Sequence, residues 1–176
     1  MSQSATLYRI SFDTFAQLKS SKEASFDRSS AKNQITFQGS FMGLEYLLSK
    51  GSDISAIDLL KEIFNPSRSL GEQEFGNLTP DEKFEFYKNG NIISYLDSTT
   101  ISNLNIFLDK VSENAIQSRY DKTELNDKGI YPEVWHNDNS PDQAYNQRHI
   151  LEDFKELKEI ISQADKHGDY ILVFVG

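Results

Sequence analysis

The chain closes with the run Tyr170-Ile171-Leu172-Val173-Phe174-Val175, in which apolar residues stand at consecutive rather than alternate positions. A strand that is apolar on both faces is buried on both faces. The run therefore predicts a central strand in a sheet with further layers above and below it. It carries no information about chemistry, because a buried strand is a packing feature.

A long helix is predicted directly before this strand, over residues 142–167. Apolar residues recur there at steps of three and four, and Gly168 follows where glycine commonly ends a helix. Short strands are predicted around residues 7–10, 35–37 and 92–96. Further helices are predicted within residues 12–18, 41–48, 57–64 and 101–111, with a short one from Ser112. Loops or turns are predicted at residues 20–33 and 67–78, around Leu125, and at 137–141.

Residues 79–96 fit two arrangements. Thr79-Pro80-Asp81-Glu82 has the features of a helix start: a capping hydroxyl, proline at the first position and acids near the positive helix end. The aromatic run at 84–87, the turn residues Asn89-Gly90 and the strand at 92–96 also fit a hairpin. The helix followed by a strand is favoured because its start signal is specific, and the hairpin stays open.

The bulk composition limits the classes of function. A chain of 176 residues fits one domain, so we expect a single domain over 1–176. It has no cysteine, which excludes disulfides, thiolate metal ligands and a cysteine nucleophile. The net charge is −9, from 27 acidic and 18 basic side chains that nowhere form a basic run. This field repels a phosphate backbone, so we expect no nucleic-acid binding and favour a basic protein as partner.

The sequence also lacks signals for export or membrane insertion. Its first five residues are polar and contain no basic segment followed by an apolar one. The longest apolar run is far shorter than the roughly 20 residues that span a bilayer. We therefore expect a soluble, cytoplasmic protein without membrane contact.

The common catalytic and nucleotide-binding motifs are missing. Neither G-x-x-x-x-G-K, G-x-G-x-x-G nor G-x-S-x-G occurs in the chain. The three histidines are His136, His149 and His167. His149 stands four residues before Asp153, but any acidic helix with one histidine gives such a pair, so we interpret it as structural. We predict no cofactor and no metal site.

The most unusual segment is Ile130-Tyr131-Pro132-Glu133-Val134-Trp135-His136, which holds the only tryptophan of the chain. In one interpretation, Tyr131, Glu133, Trp135 and His136 contact a partner or ligand from a loop. In the other, the two aromatic rings fill the edge of the core while the acid and the histidine face water. The second arrangement is the more common one, and it is the default interpretation.

Several short pieces of the sequence, taken in order and spacing, resemble a known family. They are Leu7-Tyr8-Arg9-Ile10-Ser11, Gly43-Leu44-Glu45-Tyr46-Leu47-Leu48, Leu70-Gly71-Glu72, Tyr95-Leu96, Arg119-Tyr120-Asp121, Ile130-Tyr131-Pro132 with Trp135, and Gly168-Asp169-Tyr170-Ile171-Leu172. The chain resembles the YfbM-like family of uncharacterised bacterial proteins nearly end to end. The resemblance implies an α/β domain (α+β mixed) with a mixed central sheet and helices on both faces. It implies no established activity, cofactor or catalytic residue.

The chain departs from the family pattern in one helix. The pattern there often reads Trp-His-Gly-Leu-His, whereas this chain has Phe41-Met42-Gly43-Leu44-Glu45. Both histidines are absent, which argues against a metal or acid–base role at those positions. Residues 77–92 are also longer than the family usually has, which indicates an added helix or hairpin.

Two functional hypotheses follow. The first is an acidic binding module, for instance one that sequesters a basic protein partner. The second is an enzyme that uses carboxylate and histidine acid–base chemistry on a small cationic or neutral substrate. The enzyme requires a pocket lined by Glu133, His136 or Glu45 and at least one raised carboxyl pKa. Its catalytic residues are unknown; the candidate contact residues are Tyr131, Glu133, Trp135, His136 and Glu45.

Overall fold

A computed structural model of the protein describes residues 3–21, 25–71, 79–82 and 92–176. The strands in these ranges are β1 (Ala5–Ile10), β2 (Asn33–Phe37), β3 (Arg68–Leu70), β4 (Ile93–Leu96) and β5 (Tyr170–Val175). The α-helices are α1 (Phe12–Ser20), α2 (Phe41–Ser49), α3 (Ile54–Lys61), α4 (Ser98–Asp109), α5 (Glu113–Arg119), α6 (Lys122–Asp127) and α7 (Gln147–His167). A 3₁₀ turn spans Arg28–Ser30, and residues 80–82 are helical.

The strands form one sheet in the order β2-β1-β5-β4-β3, with the C-terminal strand in the middle. This confirms the central position predicted from its apolar run. All four pairings are antiparallel, with Leu7 opposite Val173 on one side and Ile35 on the other. The family resemblance implied a mixed sheet, with both parallel and antiparallel pairs, whereas the observed sheet is entirely antiparallel. The apolar run does not reveal this difference, because a central strand is buried on both faces in either direction.

Helices cover both faces of the sheet, as expected. On one face, Leu7 and Val173 pack with apolar residues of α2, α4 and α7 in the main core. On the other face, Tyr8 and Leu172 pack with Phe15 of α1 in a smaller cluster. The class is therefore mixed α/β, and the larger core lies on the α7 side of the sheet.

Side-chain caps determine where most helices begin. The backbone N–H groups of the first turn donate to side chains at Ser11, Asp53, Asp97, Ser112, Asp121 and Asn146. The Asn146 cap corrects one prediction, because α7 begins at Gln147 and not near 142. The C-terminal end is confirmed: Gly168 has a φ of 64°, a conformation that glycine adopts without strain.

Two elements are missing from the sequence prediction. β3 lies within residues predicted to be a loop, and Leu125 lies in α6 where a turn was predicted. Both are very short, so neither shows enough periods of a hydrophobic pattern to be recognised. The strand predicted around 92–96 is confirmed as β4. Thr79 and Glu82 exchange hydrogen bonds as the capping box predicted, whereas the aromatic run and the Asn89-Gly90 turn lie outside the described residues.

Within the described ranges, no helix has the length and apolar character needed to cross a membrane.

Candidate functional site

The unusual aromatic segment lies in a long loop that connects α6 to α7, residues 129–146, which we call the Trp135 loop. Trp135 is only 3% exposed, and its Nε1 donates a hydrogen bond of 2.8 Å to the carbonyl of Ile130. The six-membered ring lies against Gly43 of α2, where a Cβ atom would come within 2.4 Å of Cζ2 and Cη2. Trp135 is thus a core anchor, as the default interpretation predicted, and Gly43 is the residue that admits it.

The backbone around Trp135 is held from two directions. The Asn126 side chain accepts a hydrogen bond from the Trp135 N–H and donates one to the Trp135 carbonyl, both at 2.9 Å. The Tyr120 hydroxyl donates to the His136 carbonyl at 2.7 Å. Burial raises the pKa of Tyr120 to about 12, and the hydrogen bond to His136 opposes that shift only in part. The hydroxyl therefore remains a donor throughout the physiological pH range.

The second half of the loop is held by the first turn of α7. Asn146 is fully buried, and its Nδ2 donates to the carbonyls of Asp138 and Gln143 at 2.7 and 3.0 Å. Its Oδ1 accepts from the His149 N–H, so one side chain caps the helix and fastens the loop. Arg148 adds hydrogen bonds to the carbonyls of Pro141 and Gln143. The loop consequently has many fixed points although it contains no α-helix or strand.

The outer edge of the loop is acidic and carries one protruding aliphatic side chain. Val134 is 58% exposed and stands next to the exposed Glu133. Asp138 and Asp142 are also exposed, and the loop contains neither lysine nor arginine. Hydrogen bonds from the Ser140 N–H and hydroxyl lower the pKa of Asp138, so this carboxylate stays ionised at neutral pH.

Backbone strain is concentrated in the same loop. Among the described residues, Glu133 and Tyr145 are the non-glycine residues with positive φ, at 63° and 56°. Such conformations cost about 1–2 kcal/mol each and persist where surrounding contacts enforce them. The contacts of Glu133 and Tyr145 with the rest of the fold must therefore hold these two residues in place.

The other predicted contact residues have different environments. Tyr131 is half-buried; it lies beside Gly39, and its hydroxyl accepts from the Gln3 N–H at 3.2 Å. His136 is also half-buried, and its backbone N–H donates to the Tyr145 carbonyl. The structure thus brings Tyr131, Glu133, Trp135 and His136 together as one loop, with only part of it accessible.

Glu45 is not part of this arrangement. It lies two positions after Gly43 on α2, and residues two apart on a helix do not face the same way. Burial raises the pKa of Glu45, and the positive charge of Lys61 opposes the shift.

Surface depressions in the described part of the chain offer a test of the enzyme hypothesis. Four of them have volumes between about 250 and 360 Å³, and none of these four is lined by Glu133, His136 or Glu45. The widest lies between α4, α5 and α7, where Lys155 pairs with Glu113. These four depressions therefore do not supply the pocket that the enzyme hypothesis requires.

A buried polar cluster beneath the loop involves a residue pair that the sequence analysis interpreted as structural. Asp153 is 6% exposed, and its Oδ1 lies 3.8 Å from His149 Nε2. Burial raises the pKa of Asp153 to about 7, which an interaction with the Ser40 hydroxyl opposes and the negative Glu156 and Glu152 reinforce. Within the described residues, neither Asp153 Oδ2 nor Ser40 Oγ has a partner at hydrogen-bond distance. The spacing of His149 and Asp153 was visible in the sequence, but Ser40 and the burial were not.

The comparisons with known proteins identify the family. The family described as "Domain of unknown function (DUF1877)" matches residues 1–174. The chain belongs to this family. It is also similar to the crystal structure of YfbM from Escherichia coli, a protein of unknown function, with 17% identity, full coverage of both chains and a TM-score of 0.63. At that identity the likeness shows the fold alone, and it confirms the YfbM-like resemblance. No curated protein matches the chain.

This member of the DUF1877 family contains no group of three or more histidine, aspartate or glutamate side chains that could hold a metal ion, as far as its described residues show.

Proposed function

We propose that this protein is a binding module that presents the Trp135 loop to a basic protein partner. One observation carries the proposal: the buried side chains of Trp135 and Asn146 fasten a long loop whose outer edge is acidic and carries an exposed valine. A loop held rigid on a scaffold loses little conformational entropy when a partner binds. Loops of this length without secondary structure are commonly functional.

The charge of the loop and of the whole chain favours a basic partner. Glu133, Asp138 and Asp142 supply three carboxylates without a compensating lysine or arginine in the loop. The net charge of −9 adds a long-range field that attracts a positive partner and repels nucleic acid. Val134, next to Glu133 in the chain, offers an exposed aliphatic contact. The proposal includes the cytoplasmic location that the sequence led us to expect.

The test is selection of ligands from a random peptide library on the folded protein at low salt. We expect the enriched peptides to be basic with an aliphatic residue, and to bind less tightly as salt is added. A variant with Glu133→Gln, Asp138→Asn and Asp142→Asn should then bind them at least about tenfold more weakly, a loss of roughly 1.4 kcal/mol.

A matched control removes the same amount of charge elsewhere. Asp13→Asn, Asp58→Asn and Glu159→Gln alter exposed acids on three other helices. This variant should bind the peptides with nearly the parent affinity, because it loses the same net charge but keeps the short-range pairing with the loop carboxylates. Equal weakening in both variants, or enriched peptides without positive charge, would contradict the proposal.

The enzyme alternative is favoured by a single observation, the buried Asp153 with a pKa of about 7 beside His149. General acid–base groups work best when their pKa is close to the operating pH. Because Asp153 is almost inaccessible, a substrate could reach it only if the loop moved. Small cationic metabolites that shift the NMR signals of Ser40 and Asp153, and not those of the loop edge, would support this alternative over the binding module.

A further inference from the structure

The contact between His149 and the Trp135 loop depends on the protonation state of the imidazole. The N–H of Tyr145 donates to His149 Nδ1 at 3.1 Å, so Nδ1 must be unprotonated when the loop is docked. The ring proton is then on Nε2, which faces Asp153 Oδ1. Tyr145 in turn accepts from the His136 N–H at 3.1 Å, so its backbone links α7 to the segment that carries Trp135.

We propose that protonation of His149 releases the Tyr145 backbone of the Trp135 loop from α7, while Asn146 and Arg148 keep their hydrogen bonds to the loop. A proton on Nδ1 would turn the acceptor into a donor that faces the Tyr145 N–H, and the hydrogen bond would be lost. Tyr145 also holds a positive φ that its contacts must enforce, so losing this contact frees a strained residue. The release follows from these contacts alone; the loss of partner binding in acid rests on the proposed function.

The surroundings of the pair determine the order in which protons bind. Burial, and then the positive Arg148, lowers the pKa of His149, while Glu152 opposes the shift. The Tyr145 ring lies with its centroid 5.9 Å from the imidazole, and Ser40, on the connection between β2 and α2, contributes an uncharged hydroxyl. Burial, and then the negative Glu156 and Glu152, raise the pKa of Asp153, so Asp153 takes the first proton as the pH falls. The second proton goes to His149 and breaks the Tyr145 contact.

The direction of the pH effect follows from linkage. The docked loop lowers the pKa of His149 relative to the released loop, where an ordinary value of about 6.5 applies. Docking is therefore fully favoured above that value and weakens as the pH falls below it. The first step, at Asp153, leaves the Tyr145 hydrogen bond in place and should not release the loop.

The experiment is an NMR titration of the free protein from pH 8 to pH 5. Three histidines give three resolvable imidazole signals, and amide exchange of Tyr145, corrected for intrinsic rates, reports the hydrogen bond. We expect its protection to fall at least about tenfold as His149 titrates, while the amide of Leu172 in β5 stays protected. Unchanged Tyr145 protection across the His149 transition would overturn the inference. Simultaneous loss at Leu172 would also overturn it, because the event would then be global unfolding.

Two variants separate the switch from other acid effects. In His149→Asn the amide oxygen replaces Nδ1 as acceptor and cannot be protonated, so Tyr145 should stay protected at pH 5. His167→Asn removes an exposed histidine at the other end of α7 and should behave as the parent does. Release in His149→Asn at the parent pH would refute the role of His149. The NMR titration uses the free protein without a partner. A negative result in the titration therefore does not affect the peptide-binding test of the proposed function, and a negative result in that binding test does not affect the titration.

Discussion

Replacing Asp153 with asparagine should stabilise the protein at alkaline pH and leave its stability in acid almost unchanged. Asp153 is buried beneath the Trp135 loop, where Oδ2 has no hydrogen-bond partner among the described residues. Desolvation disfavours the charged carboxylate, so the folded protein holds a proton there that the unfolded chain releases. Asparagine has nearly the same shape, stays neutral and can donate to Ser40.

The magnitude follows from the two pKa values of Asp153. The pKa is raised from 3.8 to about 7, and each unit corresponds to about 1.4 kcal/mol. The neutral carboxyl therefore contributes up to about 4 kcal/mol relative to the ionised one. Because the folded pKa is the higher, this contribution is complete below pH 3.8 and is lost as the pH rises to about 7. The asparagine variant should show no such loss.

The assay is urea unfolding followed by circular dichroism at pH 4.5 and pH 8.5. Relative to the parent, the Asp153→Asn variant should gain about 2–4 kcal/mol of unfolding free energy between pH 4.5 and pH 8.5. Glu159→Gln, an exposed change on the same helix, should show a difference that is independent of pH. Repeating the comparison in His149→Asn removes the coupled titration of the neighbouring imidazole. A pH-independent difference for Asp153→Asn would refute the account of a protonated buried carboxyl.

Two further substitutions test the anchoring of the loop. Gly43→Ala should displace the Trp135 ring, lower the unfolding free energy by about 1–3 kcal/mol and shift the fluorescence emission of this sole tryptophan to the red. Gly176→Ala, with open space around it, should change neither quantity. Unaltered emission in Gly43→Ala would contradict the close packing. Asn146→Ala should lower the free energy of unfolding in urea by about 2 kcal/mol, because it removes the α7 cap and the hydrogen bonds to two loop carbonyls. The His149 amide should also exchange faster with solvent. A loss of stability with unchanged exchange would mean that the cap is dispensable.

Local patterns in the sequence account for much of the fold. The uninterrupted apolar run at the C-terminus predicted a strand buried on both faces, and it forms the middle of the sheet. The cap at Ser112 and the glycine at 168 act within one helical turn and were therefore readable from spacing. The strand direction was not readable, because burial does not depend on the direction of the neighbouring strands.

The candidate site was predictable only in part. The composition of the Tyr131 to His136 segment identified the loop, and the default interpretation placed Trp135 in the core correctly. Glu45 was grouped with the loop although it lies elsewhere on α2. The late start of α7 escaped prediction because Asn146 caps the helix through a side chain that also binds loop carbonyls.

The sequence by itself determined the class of fold, the central strand, the negative charge and the segment that stands out by its composition. Only the tertiary structure decided that Gly43 admits Trp135, and that Ser40, His149 and Asp153 meet beneath the loop. The physical reason is the range of the forces involved. Helix caps and hydrophobic periods act between near neighbours along the chain, whereas desolvation and ring packing depend on residues that only folding brings together.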